Sequence, residues 1–172
     1  YLRFLDAFPT LEKLAAASLD DVLHLWQGSG YYSRARNLHK CAQTVTNEYA
    51  GTWPTTATDL QKLPGIGPYT SAIIASLAFD ESATVMDGNI ERVMNRLFSV
   101  ETPLPTAKPE LKQLAAQLTP THRPGDHAAA LMDLGATICT PKNPQCDTCP
   151  IQKHCSAFKA GNPAEYPKRL PK

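Results

Sequence analysis

Four cysteines crowd into one stretch, "CTPKNPQCDTCPIQKHC". Cys139, Cys146, Cys149 and Cys155 fall within 17 residues, with six, two and five residues between them. Four thiolates that near in sequence can wrap one compact inorganic centre, either a zinc ion or an iron–sulfur cube. A zinc site usually shows paired C-x-x-C knuckles, and one such pair is present, so spacing alone leaves the two open. His154 could compete as a ligand, but Cys155 completes a set of four without it. Lys142, Lys153 and Lys159 surround the loop and could offer positive charge to a phosphate backbone. The fifth cysteine, Cys41, stands apart on an apolar helical face and reads as a packed core residue.

A second chemical pattern lies in "LPGIGPYTSAIIASLAF", Leu63 to Phe79. Gly65 and Gly67 can adopt positive φ and leave the backbone bare. Pro68 suits the first helical position, where its missing N–H costs nothing. The stretch therefore predicts a tight hairpin between two helices, with unpaired N–H groups aimed at one point, a setting that attracts a phosphate. A turn and cap without any ligand would use the same residues.

The third pattern is "ATVMDGNIERV", where Asp87, Gly88 and Asn89 precede a helix. Asp and Asn are good caps, and Asn89 could simply be the N-cap. Following the apolar "TVM", the Asp87 carboxylate could also sit partly buried, where it can stabilise a developing cation or act as a nucleophile.

Helices must carry all three, because helical periodicity dominates and strand-like alternation is nearly absent. Thr10 caps a short helix, "TLEKLAAAS". "SLDDVLHLWQGSG" places Leu19, Val22, Leu23 and Trp26 on one face. "YYSRARNLHKCAQTVTNEYAG" buries Ala35, Leu38, Cys41, Ala42 and Val45. "TATDLQKL" enters the hairpin and "YTSAIIASLAF" leaves it. "NIERVMNRLFSV" has Ile90, Val93, Met94 and Leu97 at helical spacing. "ELKQLAAQLTP" and "GDHAAALMDLGATIC" are two further helices, and "NPAEYPKRLPK" reads as a linker. The expected fold class is all-α.

The chain has 172 residues, 42% of them hydrophobic, and a net charge of +1. That length supports one or two domains with a real core. The charge neither demands nor excludes nucleic acid, because a local basic face can hide in a balanced total. Apolar runs break well short of a membrane span. "YLRFLDAFPT" shows no targeting signal, and without one the cysteines argue for a metal or cluster over disulfides.

The three motifs in this order resemble the helix–hairpin–helix DNA glycosylases. Within them, "LDDVLHLWQGSGYYSRARNLHKCA" and "LMDLGATICTPKNPQC" look like the MutY-type adenine DNA glycosylases, which remove adenine mispaired with 8-oxoguanine or guanine in double-stranded DNA. The resemblance implies a [4Fe–4S] cluster at the four cysteines and an active site between a helical barrel and a cluster domain. It places a barrel over residues 1–115 with the hairpin at about 56–79, a cluster domain over 116–160, and a linker over 161–172. It makes Asp87 the carboxylate that stabilises the oxocarbenium-like sugar, with Asn89 positioning it. Leu63, Gly65, Ile66 and Gly67 would hold the DNA backbone, Arg34 would reach a phosphate, and Tyr31 would wedge into the base stack. Tyr69 stands where strand-cutting relatives carry a lysine, the amine for a Schiff base, which implies hydrolysis without lyase activity.

The resemblance also implies that the family's general-acid glutamate lies upstream of Tyr1 and its 8-oxoguanine-reading domain beyond Lys172. The expectation is a monomeric piece of a bacterial, cytoplasmic, nucleoid-associated enzyme, inactive on its own and without a membrane partner. Other readings are a thymine- or oxidised-pyrimidine-removing relative, a non-catalytic DNA-binding iron–sulfur module, and a zinc-stabilised helical domain.

Overall fold

The computed structural model describes residues 1–170. Among them are ten α-helices: α1 (Leu2–Ala7), α2 (Leu11–Ala16), α3 (Leu19–Trp26), α4 (Tyr32–Glu48), α5 (Ala57–Leu60), α6 (Pro68–Phe79), α7 (Gly88–Phe98), α8 (Lys108–Leu118), α9 (Pro124–Thr137) and α10 (Ser156–Lys159). The one extended pairing among these residues is an isolated bridge between Leu104 and Arg169. No helix among them is long and apolar enough to cross a membrane.

The chain divides into two compact units, Tyr1–Ser71 and Ala72–Lys172. In the first, Thr10 and Ser18 cap α2 and α3 through their hydroxyls, which accept from Lys13 N and Asp21 N. Such caps are worth about 1 kcal/mol each. Leu14, Val22, Ala35 and Ala42 form the core there, and Phe4, Phe8 and Trp26 pack on it. His39 is buried on the same side of α4, its Nε2 lying 3.0 Å from the Ala17 carbonyl. Cys41 is a packed core residue, 4% exposed, with its thiol pushed up by burial. Leu38 departs from the expected buried face. It is 37% exposed and lines an open apolar groove with Phe4, Trp26 and Trp53.

In the second unit the core gathers on α7, where Ile90, Val93 and Met94 are buried at the predicted spacing. The N-cap of α7 is Asp87, not Asn89, so the helix begins at Gly88, two residues earlier than an Asn89 cap would give. Beyond α10, Gly161 at φ +77° redirects the chain. The expected linker is tied down as far as it is described: Tyr166 is buried, and Leu104 N donates to Lys168 O at 2.9 Å. Its last two residues, 171 and 172, lie outside the described residues.

Candidate functional site

The hairpin is built by two glycines with different reasons to be glycine. Gly65 sits at φ +76°, and a Cβ there would lie 2.5 Å from the Asn37 Cβ of α4. Both the backbone and the close approach to α4 forbid a side chain. Gly67 lacks the expected positive φ, and nothing lies within 4 Å of where its Cβ would be. Its carbonyl accepts from Ser71 N at 2.9 Å, which makes it the N-cap of α6 with Pro68 at the first helical position. No hydrogen bond from its own N–H appears among the described residues, and the residue is exposed.

Leu63 is 3% exposed, so its side chain belongs to the core and only its backbone can meet a ligand. Ile66 is half-buried. Tyr69, the second residue of α6, is 43% exposed.

The same helix α4 that backs the hairpin also presents Tyr31. The Trp26 indole donates to the Gly30 carbonyl at 2.9 Å and pins the turn. Tyr31 follows at φ 45° as the α4 N-cap, with 79% of its surface exposed. An aromatic residue held in a left-handed conformation and thrust into solvent is costly unless the surroundings enforce it. Arg34 lies exposed on the first turn of α4, and its N–H donates to the Tyr31 carbonyl.

In the second unit Asp87 is half-buried and both of its oxygens are engaged. Oδ1 accepts from Ile90 N at 2.7 Å, and Oδ2 accepts from Asn89 Nδ2 at 3.3 Å. Asn89 Oδ1 in turn accepts from Arg92 Nη2 at 2.8 Å. Arg92 continues the chain of bonds, donating to Gly135 O at 2.7 Å and to Cys139 O at 2.8 Å. Burial lowers the Arg92 pKa, while Cys139 and Asp87 act in the opposite direction. A cap alone needs only the Ile90 bond. The bridge through Asn89 to Arg92 fixes the second oxygen as well and ties it to the start of the cysteine loop.

Gly135 completes this corner. A Cβ there would fall 2.6 Å from the Asn89 Cβ and 3.1 Å from its carbonyl oxygen, so α9 can approach α7 only with glycine at that position.

All four loop cysteines are free thiols and line a single cavity with Arg96, Ile138, Pro144 and Phe158. It encloses about 310 Å³ of empty space, part of it open to solvent. Burial pushes the Cys146 and Cys149 thiols up, with their neighbouring cysteines adding to the effect. Arg96 is 1% exposed, and its Nη1 lies 3.3 Å from Cys139 Sγ. Its remaining partners are neutral carbonyls. A buried guanidinium calls for an opposite charge, which thiolates around a cluster supply.

Among the described residues no three His, Cys, Asp or Glu side chains converge tightly enough for a single metal ion. Four free thiols around one cavity, with a buried guanidinium against one of them, can ligate a compact iron–sulfur cluster. The residues therefore fit an iron–sulfur group.

Sequence reasoning missed Arg92, Arg96, Gly135 and Asn37. Asn89, Arg92 and Arg96 repeat at i, i+3 and i+7, a polar stripe beside the apolar face of α7, and that spacing was the available signal. Nothing local marks Gly135 or Asn37, whose roles depend on contacts far along the chain.

Residues 1–120 match the HhH-GPD superfamily of base excision DNA repair proteins, and residues 139–155 match the iron–sulfur binding domain of endonuclease III. The chain belongs to the HhH-GPD superfamily of base excision DNA repair proteins. It is 47% identical to an adenine DNA glycosylase of Rattus norvegicus over 92% of this chain and 31% of that protein. With the adenine DNA glycosylase of Buchnera aphidicola subsp. Schizaphis graminum it shares 38% over 100% of this chain and 50% of the relative. The chain thus spans half or less of the length of these curated relatives.

A solved thermostable thymine-DNA glycosylase superposes with a TM-score of 0.84 at 31% identity, covering 93% of this chain and 75% of that one. A non-covalent endonuclease III–DNA complex gives 0.76 at 25% identity, covering 93% and 74%.

Proposed function

We propose that this chain is the glycosylase core of an adenine DNA glycosylase that acts on double-stranded DNA holding adenine opposite 8-oxoguanine or guanine. What carries the reading is the Asp87 carboxylate, fixed through one oxygen by the α7 N-terminus and through the other by Asn89 and Arg92. A base inside a duplex is out of reach, so the adenine is turned out of the stack, and the exposed Tyr31 fills the gap left behind. The bare Gly67 N–H, with the backbone of Leu63, Gly65 and Ile66, holds a phosphate without reading sequence, and Arg34 adds charge to that grip.

The bond from adenine to C1′ of the deoxyribose then breaks, the bonding pair leaving with the base. The positive charge left on the sugar is stabilised by Asp87, which Asn89 keeps in place. Water supplies the oxygen that ends on C1′ and the proton that ends on adenine. Tyr69 offers no amine for a Schiff base, so the reaction stops at hydrolysis with the strand intact. No glutamate among residues 1–172 takes the general acid's part in this reading. General acid catalysis contributes typically about 10²–10⁴-fold, so the chain alone is expected to be nearly inactive.

Cys139, Cys146, Cys149 and Cys155 would hold a [4Fe–4S] cluster, which when bound supplies a rigid template and one-electron chemistry. By role, residues 1–115 form the helical domain with the hairpin at about 56–79, 116–160 the cluster domain and 161–172 a connection onward. The enzyme works as a monomer beside the chromosome in the bacterial cytoplasm.

The test is base release by the full protein from duplexes carrying A:8-oxoguanine, A:G, T:G or an oxidised pyrimidine. Selective loss of adenine supports the reading. Release of thymine or the pyrimidine instead would assign the chain to a different substrate within its superfamily, and DNA binding without any release would make it a non-catalytic module.

A further inference from the structure

The match to the iron–sulfur domain ends at residue 155, yet the walls of the cysteine cavity do not. Pro163 lines it, and Arg96 closes one side under the segment that follows. The Arg96 side chain divides its bonds between two stretches. Nη1 and Nη2 donate to Thr140 O at 2.7 Å and Pro141 O at 3.2 Å, within the cysteine loop. Nε donates to Tyr166 O at 3.1 Å, beyond it.

Tyr166 is itself held at both ends. Its ring is buried, 5% exposed, and its hydroxyl bonds to Glu101. The next turn of chain is fixed by Leu104 N donating to Lys168 O and by the bridge from Leu104 to Arg169. Lys168 lies over the Tyr166 ring, 4.8 Å from its centre, and pairs with Glu165 at 2.9 Å.

We infer that residues 163–169 are a strap belonging to the cofactor site, which holds Arg96 against Cys139 and sets how long an iron–sulfur cluster is retained. The inference rests on the cysteine loop being a cluster site. A guanidinium held by four acceptors on all three of its nitrogens keeps one orientation, and that orientation aims an Nη1–H at the Cys139 sulfur. Freed of the strap, Arg96 loses the acceptor for Nε, and water gains a path past Pro163 to the thiolates. Removing an outer partner of a metal ligand typically costs about 10–100-fold in metal affinity, and a weaker hold shows as faster loss.

The experiment uses the full, cluster-loaded protein and follows its brown iron–sulfur absorbance during exposure to EDTA and ferricyanide. Tyr166→Ala should lose the colour at least about tenfold faster than the parent. Tyr166→Phe, which keeps the ring and gives up the hydroxyl with its bond to Glu101, should fall between the two. Gly125→Ala serves as a control for general weakening. A Cβ there meets Leu77 and Ser76 O at 2.8 Å, away from the strap, so its melting temperature should drop while cluster lifetime stays.

Parental lifetimes in both Tyr166 variants would overturn the inference, as would an equal loss in the Gly125→Ala control. Should Tyr166→Ala fail to fold, Tyr166→Phe decides alone. A parent protein that carries no iron and no colour would instead overturn the cluster reading beneath, and this inference with it.

Discussion

At the hairpin, the groups offered to a ligand are backbone atoms left bare, whereas around Asp87 nearly every polar atom is already bonded. Gly67 has no neighbour within 4 Å of a would-be side chain and an N–H that meets nothing among the described residues. Asp87, Asn89 and Arg92 form an unbroken series of bonds that ends on two carbonyls, Gly135 and Cys139. The contrast follows from what each must do. A grip on a phosphate needs a donor free to turn its bond outward, while a carboxylate that meets a short-lived cation must not move.

This contrast can be broken first at Gly135. Gly135→Ala should push Asn89 aside, and a displacement near 1 Å in a reacting group costs about 100-fold in rate. Single-turnover adenine release by the full protein at saturating enzyme should fall accordingly, with DNA affinity kept. Gly125→Ala, equally crowded but remote from Asn89, should lower the melting temperature and leave the rate alone. Equal rates in the two variants would dissolve the idea that Gly135 positions the site.

The hairpin glycines give the next effect. Gly65→Ala must adopt φ +76° against Asn37 and should cost about 2–4 kcal/mol of stability, read by urea unfolding. Gly67→Ala faces no collision, and only a mild N-cap preference favours glycine there, so its loss should stay within about 1 kcal/mol. The DNA data should show the reverse order relative to stability: Gly67→Ala weakens binding while the fold holds. Gly67→Ala binding DNA as tightly as the parent would remove the hairpin's assigned role.

The smallest effect belongs to Arg34. An exposed side chain contributing one phosphate contact should, as Arg34→Gln, reduce the slope of log affinity against log salt by about 0.9. It should leave mispair preference unchanged, and an unaltered slope would show that its charge is merely solvated.

How much of this was legible in the sequence divides along the same line. The hairpin was readable because a glycine, a proline and a helix start act on their immediate neighbours, and α6 does begin at Pro68. Thr10 as a cap and the Ile90, Val93 and Met94 face were readable for the same reason. The sequence alone could not distinguish Gly65 from Gly67, because the difference lies in Asn37, 28 positions away in the numbering. Nothing in the local sequence beyond their spacing singles out Arg92 or Arg96. Their meaning comes from carbonyls more than 40 residues further on. Leu38 carried the right periodicity and still lies open, since spacing tells which residues share a face and not what covers it. The tail looked like a linker by its prolines and lysines, and Tyr166 pins it through a bond to Glu101 that no local pattern announces.

Asp87 itself is tested most directly by Asp87→Asn in the full protein, with adenine release and thermal melting measured on the same preparation. Asparagine caps a helix as well as aspartate does, so the melting temperature should hold while release from an A:8-oxoguanine duplex falls by at least about 10²–10³-fold. Release at the parental rate from a folded Asp87→Asn protein would reduce this carboxylate to a helix cap and leave the proposed chemistry without its central group.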